Sequence, residues 1–75
     1  MELRPISNSS NITAAGYDET TETLRVQFAN GTAYDYSGVA KSLADGIFDA
    51  ESAGKFFHGA IRSSFKGVRV ETESD

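Results

Sequence analysis

The chain has 75 residues, 11 acidic against 7 Lys or Arg side chains, a net charge of −4 and no cysteine. A single domain of that length buries only about 60% of its unfolded surface and keeps roughly 5 kcal/mol of net stability, which leaves no room for a deep active-site cleft. Disulfides and thiolate zinc sites are excluded, so Leu, Val, Ile, Phe and Tyr must build the core.

No apolar run approaches the ~18 residues of a membrane helix, and "MELRPISNSSNIT" lacks the apolar middle of a signal peptide. The expected location is therefore the cytoplasm, with no membrane partner, and the sequons at Asn8, Asn11 and Asn30 are expected to stay unused. The negative net charge favours solubility and disfavours indiscriminate nucleic-acid binding. The charge is uneven, however. Between Lys55 and Arg69 stand Lys55, His58, Arg62, Lys66 and Arg69 and no acid at all.

Residues 1–8, polar and carrying Pro5, read as a flexible N-terminal lead-in or an edge strand, with little order before Ser9. "NITAAGY" from Asn11 to Tyr17 reads as a short strand, and "DETTE" supplies turn chemistry. Thr23 to Phe28 is the clearest strand, because Leu24, Val26 and Phe28 alternate with Thr23, Arg25 and Gln27. Thr32 to Tyr36 alternates again. From Val39 the period becomes helical, with Val39, Leu43 and Ile47 four apart beside Ala40, Ala44 and Phe48. Gly46 inside this helix costs about 1 kcal/mol relative to Ala, so packing must hold it. A second helix buries Ala53, Phe56, Phe57, Ala60, Ile61 and Phe65, and Gly67 releases the chain into a last strand, "VRV". The result is an α+β fold: a small antiparallel β-meander of about three strands plus a short C-terminal strand, packed by two α-helices. The domain spans 9–70, and 71–75 is a solvated acidic tail.

"FANGTAYDY" sets the register of the central hairpin. A two-residue Asn30-Gly31 turn pairs Val26 with Asp35 and exposes Tyr34 and Tyr36 as an aromatic platform beside Arg25 and Gln27. A three-residue loop, Ala29-Asn30-Gly31 with Gly31 left-handed, pairs Val26 with Tyr34, Leu24 with Tyr36 and Arg25 with Asp35. The second register is favoured, since it joins aromatic to aliphatic on one face and opposite charges on the other, each pair worth ~0.2–1 kcal/mol.

The order "SSNITAAGYD", "LRVQFANGTAYDYSGV", "SAGKFFHGAIR" resembles the KTSC domain, named for the C-terminus of lysyl-tRNA synthetase and found also in free-standing small bacterial or phage proteins. The resemblance covers about Ser9 to Arg62, and its central tyrosine-x-tyrosine mark corresponds to Tyr34 and Tyr36. It departs at Ala40, where members often have proline, and at Phe65, in a region where tyrosine is common. The resemblance implies an RNA-binding role, through the synthetase context, and transfers no catalytic residue.

Among chemistry-bearing residues, His58 with Ser63 and Ser64 lacks the orienting carboxylate and oxyanion hole of a serine triad, so no enzyme, cofactor or metal is expected. Asp18, Glu19 and Glu22 lack calcium-loop spacing and read as a solvated turn. The seven glycines match no phosphate-binding fingerprint. The candidate nucleic-acid contacts are Lys55, His58, Arg62, Lys66 and Arg69, the first three placed on one helix face by spacings of three, four and seven, together with Tyr34, Tyr36 and Arg25. The expected partner is RNA or tRNA. The alternative is a protein-interaction module, such as a phage accessory or anti-defence factor docking on a host protein. The sequence does not set the oligomeric state.

Overall fold

The computed structural model describes residues 3–7 and 9–70, so the expectations for Asn8 and the acidic tail 71–75 lie outside the described residues. Five antiparallel strands form one sheet in chain order: β1 (Arg4–Pro5), β2 (Ile12–Asp18), β3 (Thr23–Phe28), β4 (Ala33–Ser37) and β5 (Gly67–Val70). Between β4 and β5 run α1 (Lys41–Asp49) and α2 (Ala53–Phe56), and α2 continues directly into a π-helical turn, Phe57–Arg62. The α+β architecture matches the expectation, with one strand more. The lead-in does not stay loose throughout: Arg4 and Pro5 pair with Ala15 and Ala14, and the Ile6 N–H donates to the Thr13 carbonyl at 2.9 Å. Ile6 joins the rim of the core, and the Arg4 guanidinium sits 3.9 Å above the Phe48 ring. No described helix is long and apolar enough to cross a membrane.

The hairpin adopts the three-residue loop. Gly31 N–H donates to the Phe28 carbonyl at 2.9 Å and Phe28 N–H to the Thr32 carbonyl at 2.8 Å, with Gly31 at φ 89°. An L side chain is strained at that φ, which is why the turn takes glycine. Leu24 pairs with Tyr36, Val26 with Tyr34 and Arg25 with Asp35. The register therefore sorts the faces. Rows such as Tyr17, Leu24, Tyr36, Gly67 and Ala15, Val26, Tyr34, Arg69 lie toward the helices, and Gly16, Arg25, Asp35, Val68 lie on the opposite face.

Ile12, Leu24, Val26, Val39, Ile47 and Ile61 are fully buried, each contributing about 1.5–3 kcal/mol of hydrophobic stabilisation. The Tyr17 hydroxyl donates to the Val39 carbonyl and ties the start of the helical layer to β2. Gly46 has a packing reason: a Cβ there would overlap the Phe56 ring, so the glycine lets α2 approach α1. The acidic turn after β2 is organised by its own chain. Asp18 accepts from the Thr20 N–H at 3.0 Å and its hydroxyl at 2.6 Å, which holds the Asp18 carboxyl below its ordinary value.

Candidate nucleic-acid interface

Where the β3–β4 hairpin meets the π turn, the sheet and the helical layer leave a cleft of about 710 Å³. Its floor is aromatic. Phe57 stands at the centre, edge to face with Phe28 (5.4 Å, 69°) and with Tyr36 (5.4 Å, 76°), and Phe28 in turn meets Tyr34 (5.8 Å, 77°). Such edge contacts add about 0.5–1.5 kcal/mol each beyond area burial, so the floor is stiff before anything binds. Phe57 and Tyr36 are buried, whereas Tyr34 and Phe65 are partly buried in the walls.

On the helical side the rim carries His58, Arg62 and Lys66, all exposed. Among the described residues, none of the three takes part in an ion pair; the recorded pairs are Arg25 with Asp35 and Lys41 with Asp45. The hairpin side of the rim is neutral, with Asn11, Asn30 and Thr32. Burial raises the Tyr36 hydroxyl above the ordinary tyrosine value, and the charge of Arg62 pulls the other way, which places the guanidinium within electrostatic reach of the cleft floor.

The π turn decides which cations meet. In a regular helix Arg62 would sit about 140° around the axis from Phe57 and nearly in line with Lys55. With i→i+5 hydrogen bonding, residues five apart come together, so Arg62 joins Phe57 at the cleft. Lys55 lies one turn earlier, exposed and outside the lining. The single helix face expected for Lys55, His58 and Arg62 is thus broken between the first and the other two.

The remaining candidates divide. Tyr34, Tyr36 and Lys66 line the cleft. Arg69, opposite Tyr34 on the helix-facing side of the sheet, is exposed on the edge strand and does not line it. Arg25 lies on the far face of the sheet, its Nε and Nη2 donating to the two Asp35 carboxylate oxygens at 2.7 and 3.0 Å, and that bonding raises the guanidinium further above its ordinary value. Arg25 is therefore separated from the tyrosines by the sheet itself. The Ser63 hydroxyl donates to the Gly59 carbonyl at 2.9 Å, a helix-terminal contact rather than a nucleophile facing His58. Sequence reading passed over Phe28, Phe57 and Phe65 as site residues because they carry the ordinary pattern of a core.

The family model described as KTSC domain matches residues 8–65. The chain belongs to the KTSC domain family. A protein of Tsukamurella paurometabola is 35% identical over 68 residues, which cover 91% of this chain and 100% of that one. A lysine–tRNA ligase of a Nostoc species is 37% identical over 64 residues, 85% of this chain but 11% of the ligase. Among solved structures, a KTSC domain protein from Yersinia pestis superposes with a TM-score of 0.86 at 34% identity, covering 93% of this chain and 97% of its own. In this KTSC domain Tyr34 and Tyr36 have different surroundings: Tyr36 is 5% exposed in the cleft floor and Tyr34 stands partly buried in the wall. The family match ends at residue 65, so Lys66 and Gly67, which complete the cleft, lie just beyond it.

Proposed function

We propose that this KTSC domain is a small non-catalytic module that binds single-stranded RNA in the cleft between the hairpin and the π turn. One observation carries the reading: the partly buried rings of Tyr34 and Phe65 line the same cleft as Arg62 and Lys66, which have no acidic partner among the described residues. Unpaired bases stack on aromatic rings, while cations neutralise the phosphates. A duplex keeps its bases stacked on each other and offers neither wall a face. The likeness to part of a lysine–tRNA ligase supports RNA as the ligand class.

Fluorescence polarisation with a labelled single-stranded RNA at two salt concentrations tests this. Each phosphate neutralised contributes about −0.7 to the slope of log K against log salt, so the double variant Arg62→Gln/Lys66→Gln should flatten it by roughly 0.7 if both cations share one phosphate and by roughly 1.4 if each holds its own. Salt-independent binding, or an unchanged slope in the double variant, overturns the reading.

A second reading, docking of a protein along β5, an edge strand of the sheet among the described residues, is favoured by Val68, which is 61% exposed on that strand. A partner retained after nuclease treatment and lost with Val68→Lys supports docking, whereas loss of all partners on nuclease treatment supports RNA.

A further inference from the structure

The cations of the cleft are not spread along a track. Arg62 and Lys66 are four residues apart on one rim, with His58 beside them, whereas the opposite rim is neutral, Lys55 and Arg25 lie elsewhere, and Arg69, opposite Tyr34 on the edge strand, stays outside the lining. A groove that follows a nucleic-acid backbone needs charge along its length. Here charge stands at one side of an open, aromatic-floored cleft whose volume, about 710 Å³, falls within the range of small-ligand sites. The neutral rim can also hydrogen-bond. Asn30 accepts the Thr32 N–H at 3.0 Å through Oδ1, and its amide N–H groups, at the cleft, have no partner among the described residues.

The geometry points to a site for one nucleotide: a base against the Tyr34 and Phe65 rings, its polar edge toward Asn30, and its phosphate on Arg62 and Lys66. The inference rests on the nucleic-acid reading of the cleft and narrows it to a unit that a nucleoside monophosphate reproduces. Longer RNA then gains affinity mainly through its one inserted nucleotide.

Amide chemical shifts of the full chain, titrated with nucleoside monophosphates, nucleosides and inorganic phosphate, test it. Monophosphates should move Tyr34, Asn30, Arg62 and Gly67, and nucleosides should move Tyr34 and Asn30 with an affinity about tenfold lower, the share expected of two charge-assisted contacts at an exposed rim. Arg62→Gln/Lys66→Gln should erase the difference between nucleotide and nucleoside while the nucleoside shifts persist, and those shifts also show that the variant is folded. Inorganic phosphate as effective as the monophosphates would make this an anion site and overturn the inference. Monophosphates that leave the cleft unmoved while a single-stranded RNA dodecamer moves it would defeat the one-nucleotide site and keep RNA binding. If neither moves it, both fall.

Discussion

Tyr36 and Gly67 face each other across β4 and β5, and the ring fills the space that a side chain at 67 would occupy. A Cβ there would stand 2.7 Å from two ring carbons and 2.8 Å from the hydroxyl. Tyr36 is packed against Phe57 and cannot withdraw freely, so Gly67→Ala should cost about 1–3 kcal/mol, the usual range for overpacking. Thermal unfolding would register this as a fall of about 4–8 °C per kcal/mol for a domain of this size. The same burial predicts an alkaline limit. Tyr36 holds its proton more tightly in the folded chain than in the unfolded one, so the contribution of the neutral phenol is intact below the ordinary tyrosine value near 10.0 and is lost as pH rises above it. Burial raises Tyr17 in the same direction. Chemical denaturation should therefore show stability flat from pH 8 to the onset of tyrosine ionisation and declining beyond, with a shallower decline for Tyr36→Phe. At this scale the pairing of Tyr36 with Leu24 was readable from alternation and Asn-Gly turn chemistry. Its contact with Gly67 was not, because nothing local marks which glycine a distant ring will cover.

The helices show where element-level rules hold and where packing overrides them. Alanine at position 46 would gain about 1 kcal/mol of helix propensity, yet its Cβ would overlap the Phe56 ring. Gly46→Ala should therefore lower the melting temperature, and adding Phe56→Ala should make the same substitution neutral or stabilising, the sign reversal that marks a contact rather than a propensity effect. At the start of α1 local rules suffice. Ala40 caps the helix at φ −69° and ψ 151°, and its N–H has no partner among the described residues. Proline fixes φ near −65° and lacks that donor, so Ala40→Pro should stabilise by about 0.4–1 kcal/mol in urea unfolding. The residue that departs from the family pattern is thus one that the backbone would accept as proline. The alternating strands and the four-residue stripes of both helices were legible, since each is set by local periodicity. The π turn was not: Phe57, Ile61 and Phe65 fit an α-helical stripe just as well, and the wider winding begins at Phe57, where that ring docks onto Phe28 and Tyr36.

As a whole the molecule is one sheet under one helical layer, with a radius of gyration of 11.1 Å, close to the roughly 11 Å expected for a compact chain of this length. Phe57, on the helical layer, packs against Phe28 of β3 and Tyr36 of β4, so the helical layer and the hairpin share one core. Unfolding by urea should accordingly give coincident transitions by far-ultraviolet circular dichroism and by tyrosine near-ultraviolet signal, and separated midpoints would show that the helical layer detaches from the sheet. Which side chains alternate, where the chain turns and which hairpin register satisfies both faces could all be derived from the residues, because these depend on neighbours a few positions apart. Which cations share a surface could not. The basic stretch is continuous in sequence, but the sheet puts Arg25 on the far side, where Asp35 holds it, and the π turn carries Arg62 away from Lys55 toward the aromatic floor. The cleft depends on contacts between segments remote in the chain, and those are settled only when the helical layer closes on the sheet.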